Sequence, residues 1–143
     1  MSFLSKIPFL NRVSGLLDPL PEADRSQAAA VVQRVIQDLP ELLSATVIDI
    51  ETGRILAEYV AEKGGNTTLA AQAHAEMVKQ QRQAMTALQL GSEELLEDIL
   101  VTQRQQLHLI RLMHGGRWML SLAANVQDTN LGIARTVLHA HAV

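Results

Sequence analysis

The chain has no cysteine. That excludes disulfides, thiolate nucleophiles and cysteine-type zinc sites, and it fits a reducing compartment. Aromatic residues make up only 3% of the 143 positions, so any core must be built from aliphatic side chains. Charge of either sign is not in excess. The formal net charge is -3 and no basic cluster stands out, which leaves no electrostatic case for nucleic acid. Long apolar runs are also missing, whereas a membrane span needs roughly 18 or more such residues in a row. The first ten residues lack the continuous apolar stretch and small-residue cleavage site of a secretory signal. Ser2 in place of Gly excludes myristoylation, and the ending Ala142-Val143 carries no prenylation motif. The expectation is a cytoplasmic protein with no cofactor, no metal, no nucleic-acid partner and no stable membrane insertion.

What is present suits one globular domain. Hydrophobic residues make up 48% of the chain and charged residues 19%, enough apolar surface for a real core and too little charge for disorder. Residues 1–21 read as an apolar arm, with Phe3, Ile7, Leu10, Val13, Leu16, Leu17 and Leu20 near helical spacing. Pro8, Gly15, Pro19 and Pro21 break that arm into short pieces. Residues 22–143 form the domain.

Glu22 to Leu39 has a helical stripe of Ala28, Val32, Val35 and Leu39, widened by Val31 and Ile36 and stopped by Pro40. Ser44 to Val60 is a hairpin: Thr46, Val47, Ile48 and Ile50 face Ile55, Tyr59 and Val60 across a Glu51-Thr52-Gly53 turn. Asp49, beside that turn, is expected to bond turn amides rather than act as a catalytic or metal-binding carboxylate. Arg54 and Glu58 alternate with apolar neighbours, as on a strand near a sheet edge. Gly64-Gly65 lacks the Lys-Ser/Thr or third Gly of a phosphate loop, and Asn66 or Thr67 suffices as a helix cap.

Thr67 to Leu90 contains no Gly or Pro and is rich in Ala, Gln, Leu and Met, so it predicts one helix of roughly 36 Å ending at Gly91. Its apolar residues gather at the ends: Leu69, Ala70, Ala73 and Met77, then Ala84, Met85 and Leu88. Lys79, Gln80, Gln81, Arg82 and Gln83 interrupt the stripe. Either the middle meets a second copy or a partner, or it bows into solvent. Three strands follow, Leu95 to Thr102, Leu107 to His114 and Arg117 to Ala124, with turns at Gln103–Gln106 and Gly115-Gly116. The last two strands are apolar on both faces, so both faces need cover. Leu131 to His141 is a final helix that Asp128 or Thr129 can cap. His108 and His114 share a strand face but stand roughly 20 Å apart, too far to share a metal. His139 and His141 do not share a helix face, and His74 stands alone. No nucleophile elbow, zinc helix, dinucleotide fingerprint or calcium loop is present.

The order of elements, with Ala45–Tyr59 (ATVIDIETGRILAEY) and Trp118–Arg135 (WMLSLAANVQDTNLGIAR), resembles the roadblock/LC7 family in its MglB-like bacterial branch. The resemblance covers Glu22 to His141, and the Asn130–Arg135 segment is its most telling part. Ser44 departs from it, since many relatives carry Gly there. The resemblance implies an α+β, profilin-like αββαβββα fold: a five-stranded antiparallel sheet with one long helix on one face and two helices on the other. It also implies a homodimer in which the Leu95–Thr102 strands pair across a two-fold axis, with Leu96, Ile99, Leu100, Val101, Met77 and Gln81 at the interface. Asn130 would cap or orient the last helix, Gly132 would allow close helix–sheet packing, and Arg135 would either bond a carboxylate or strand-end carbonyls or face a partner. The implied function is a non-enzymatic regulator of a Ras-like small GTPase, bound through Gln72, Glu76, Lys79, Gln80, Arg82 and Gln83 on the paired long helices. Two alternatives stand beside it: an adaptor subunit of a larger assembly, for which the apolar arm would suit, and a small-molecule sensor or enzyme using a sheet–helix cleft.

Overall fold

The computed structural model describes residues 19–62 and 65–143. Most of the N-terminal arm, together with Lys63 and Gly64 of the Gly-Gly loop, lies outside the described residues. The elements are α1 (Glu22–Asp38), β1 (Ser44–Asp49), β2 (Ile55–Val60), α2 (Thr67–Ala87), β3 (Asp98–Thr102), β4 (Gln106–Met113), β5 (Trp118–Asn125) and α3 (Leu131–His141). The five strands form one antiparallel sheet in the order β2-β1-β5-β4-β3, so the chain's first hairpin is stitched to its last strand.

Strand alternation sends every second side chain to each side of the sheet. On one side Ala45, Val47, Leu109, Met113, Trp118, Leu120 and Leu122 pack with Ala28, Val31, Val32 and Val35 of α1 and Ala134 and Leu138 of α3. On the other side Ile48, Ile50, Ile110 and Met119 meet Ala71, Ala75 and Val78 of α2. This is the expected two-against-one layering.

The β1–β2 turn behaves as its composition predicts. Asp49 Oδ1 accepts bonds from the Thr52 amide (3.0 Å) and the Thr52 hydroxyl (3.1 Å). Gly53 takes a left-handed φ of 74°, and a Cβ there would stand 3.1 Å from Gln72 Cγ, so only glycine lets the turn slide under α2. A register shift beside Val47 puts a bulge in the edge strand β2.

Four sequence expectations need correction. The long helix stops at Ala87, and its left-handed cap is Gln89 (φ 54°), not Gly91. The Gln89 amide bonds Thr86 O and the Leu90 amide bonds Met85 O, which closes the last turn without a glycine. Asn130, not Asp128 or Thr129, caps α3, accepting the Ile133 amide at 3.1 Å. Gly132 does not face the sheet; a Cβ there would stand 3.2 Å from the capping oxygen of Asn130. The Gly115-Gly116 turn takes in His114 and Arg117 as well, between the paired Met113 and Trp118, and His114, Gly115 and Gly116 all have positive φ.

Candidate functional site

The long helix carries the candidate surfaces, and its orientation decides what each residue does. The face over the sheet is the narrow line Ala71, Ala75 and Val78, not the bulkier Leu69–Leu88 set that the sequence suggests. Leu69 is 61% exposed. Small residues win this face because a helix seated close to a sheet leaves room only for short side chains.

Most of the remaining apolar residues, Leu69 and Met85 apart, fall on one flank. Ala70, Ala73, Met77, Gln81, Ala84 and Leu88 follow helical spacing, and all but the half-buried Met77 are exposed. Met77 borders the same core cluster as Leu96, Ile99 and Leu112; with Gln72 lying over the β1–β2 turn and His74 meeting His108 of β4, this flank looks toward β3, the terminal strand of the sheet. The polar middle seen in the sequence is therefore two surfaces: Gln81 continues the β3-side flank, and other polar residues turn the opposite way.

On that opposite flank, Gln72, Glu76, Lys79 and Gln83 share one line over the β1–β2 turn. Gln72 lies against Gly53, and Lys79 Nζ donates to Glu51 O at 2.8 Å. Gln80 crowns the helix and donates to Glu76 Oε1 at 3.1 Å. Arg82 points down rather than out. Its Nη2 donates to Gly116 O at 2.6 Å, and a Cβ on Gly116 (φ 82°) would be strained and would push that nitrogen, 2.9 Å away, out of place. Arg82 thus ties α2 to the β4–β5 turn.

Alternation also divides the β3 residues. Leu96 and Ile99 lean on the α2 side, Val101 stands there opposite His108, and Leu100 points to the other face, 42% exposed. Behind Leu100, Asp98 accepts from Arg135 Nη2 (3.2 Å) and faces Arg111 (3.6 Å). The family-motif arginine thus finds a carboxylate within its own chain.

Two features escape sequence reading. His74 does not stand alone: its Nδ1 lies 2.9 Å from Ser121 Oγ, and its ring meets that of His108 edge-on at 5.4 Å. Burial first, and the His108 ring second, hold His74 below the ordinary imidazole range; burial holds His108 below it too. At the end of the sheet, a groove of about 830 Å³ runs between the end of α2 and the chain's C-terminus, with Met85, Leu90, Leu95, Leu96 and Leu112 among its walls. No three His, Asp or Glu side chains gather to hold a metal among the described residues. Nor is any described helix long and apolar enough to cross a membrane.

No protein-family model matches this chain, and no curated protein sequence does. Solved structures match it closely in shape. Myxococcus xanthus MglB superposes with a TM-score of 0.75 at 16% identity, over 87% of this chain and 89% of that one. An MglB with a tetrameric arrangement superposes with a TM-score of 0.71 at 16% identity, over 88% and 92%. A roadblock/LC7 domain from Streptomyces avermitilis superposes with a TM-score of 0.61 at 12% identity, over 78% and 92%. With its helix order, its β2-β1-β5-β4-β3 sheet and these superpositions, the chain has the roadblock/LC7 fold in its MglB-like form.

Proposed function

We propose that this protein is a homodimeric, non-enzymatic regulator that binds a Ras-like small GTPase through its long helices. The observation that carries the reading is the flank Ala70-Ala73-Met77-Gln81-Ala84-Leu88 beside the terminal strand β3. A terminal strand with an exposed Leu100 is open to pairing, and a second copy extends the sheet while covering small and apolar side chains together. An MglB of this fold has a tetrameric arrangement, which fits self-association. In such a dimer Leu96 and Ile99 support the edge from beneath, while Leu100, Val101, Met77 and Gln81 meet the partner.

The opposite flank, Gln72, Glu76, Lys79 and Gln83, with Gln80 above it, then stays free for the GTPase. Arg82 holds the β4–β5 turn and supplies no arginine finger; the GTPase's own nucleotide site does the chemistry. Two measurements test this. Sedimentation at micromolar concentration should give a dimer, and Ala73→Glu with Ala84→Glu should give a folded monomer. Capture of a Ras-like GTPase from the source organism should fall at least tenfold in Lys79→Glu with Gln83→Glu. A native monomer refutes the self-association, and unchanged capture refutes the binding face.

A further inference from the structure

Along the N-terminal half of α2 the underside is apolar except for one patch. There His74 from the helix meets His108 of β4 and Ser121 of β5, with Thr46 of β1 paired beside Ser121. Ser121 and Thr46 are buried; beside them Ala71, Ala75 and Val78 seat the helix, and farther along Lys79 and Arg82 bond the β1–β2 and β4–β5 turns. An imidazole pair is therefore part of what the N-terminal half of α2 rests on.

The hydrogen bonding defines what that pair tolerates. His108 Nε2 lies 3.3 Å from Gln106 Oε1, an arrangement that suits an N–H at Nε2 and leaves Nδ1 as a bare acceptor. Nδ1 is buried and has no hydrogen-bond partner among the described residues. A second proton on His108 would go to Nδ1 and point a donor at nothing. A proton added to His74 would place a charge in the same poorly solvated gap, with ring centres only 5.4 Å apart.

No neighbouring charge relieves this. On α2, Glu76 and Lys79 lie away from the β3-side flank toward which His74 turns. From β5 the neighbours are Ser121 and Ala123, from β4 Gln106 and Ile110, and from β3 Val101, none of them acidic. The carboxylate of β2 on this face, Glu58, stands opposite Thr46, two strands from Ser121. No carboxylate hydrogen-bonds either ring among the described residues.

We propose that His74 and His108 form an acid-operated release for α2: neutral rings let the helix sit on β4 and β5, and protonation lifts its N-terminal half. The sign follows from linkage. Both rings are held neutral when the helix is seated, so the released form takes up more protons, and release grows as pH falls below the ordinary imidazole value of 6.5. The seating equilibrium shifts by at most about tenfold per pH unit for one ring and about a hundredfold for both. Because α2 bears both flanks described above, the device would set how firmly each is presented. The proposal itself does not depend on any GTPase partner.

The absence of cysteine makes the test direct. A single thiol introduced as Ala71→Cys sits beneath the N-terminal half of α2, and one introduced as Glu93→Cys sits in the open. The ratio of their N-ethylmaleimide labelling rates in the full-length chain cancels the pH dependence of the thiolate. That ratio should rise at least tenfold from pH 7.5 to pH 5, and should stay flat when His74→Gln and His108→Gln are added. A ratio constant within twofold overturns the proposal, and so does an equal rise in the histidine variants. An NMR titration of the unaltered chain guards against misfolded variants. Both imidazoles must titrate below the ordinary value, and titration of either at or above it overturns the proposal.

Discussion

The orientation of α2 yields a sharp stability prediction, because two apolar residues on the same helix should respond very unequally to the same kind of truncation. Val78 has no exposed surface and packs in the cluster with Ile48, Ile110 and Met119. Val78→Ala removes two carbons at about 0.8 kcal/mol each, and incomplete collapse of the space left behind adds about 1 kcal/mol, giving about 2.5 kcal/mol in all. At about 3–4 °C per kcal/mol for a domain of this size, the melting temperature should fall by about 9 °C. Leu69 is the larger side chain but is 61% exposed, on neither the sheet face nor the β3-side flank. Leu69→Ala should change stability by less than about 0.5 kcal/mol. Urea unfolding of both variants at pH 7.5 and one fixed protomer concentration measures the difference, with equal m-values as the check that the denatured states are comparable. If Leu69→Ala costs as much as Val78→Ala, the helix is rotated from the orientation described, and the assignment of its two flanks falls with it.

Gln89 occupies a left-handed position at the end of α2 that costs any residue with a Cβ about 1 kcal/mol, so Gln89→Gly should stabilise the protein by up to that amount in a thermal melt. Asn130→Ala should cost about 1 kcal/mol by removing the α3 cap, whereas Thr129→Ala should be nearly silent in the same urea titration.

The strands were readable because their signals are local. Asp49, Thr52 and Gly53 lie within five residues and close their own turn, and the two-sided apolarity of Leu107–His114 and Arg117–Ala124 calls for helices on both faces whichever helices those are. The facing of α2 was not readable, because the sequence weights Leu and Met above Ala while the sheet admits only Ala71, Ala75 and Val78. The same bias hid the flank, whose members Ala70, Ala73 and Ala84 are inconspicuous until the helix is seen beside β3. The His74–His108–Ser121 patch joins residues 34 and 13 positions apart, a distance that no periodicity spans. Arg82 looked like a free surface charge because its partner, the Gly116 carbonyl, is a backbone atom with no signature in the sequence. Arg135 was legible only as one of two readings, and Asp98 decides between them.

The strand order has a consequence for how the molecule is made. β1 sits between β2 and β5, so half of its backbone groups wait for a strand that begins at Trp118. During synthesis the first hairpin must therefore leave the ribosome with one margin unzipped, and nothing in the next fifty residues can close it. Only when synthesis has passed through β5 does Ser44–Asp49 find Trp118–Asn125 and become an inner strand. A chain terminated before β5 is left with two separate hydrogen-bonding fragments, so prematurely stopped translation products should be candidates for chaperones rather than small working versions of the protein.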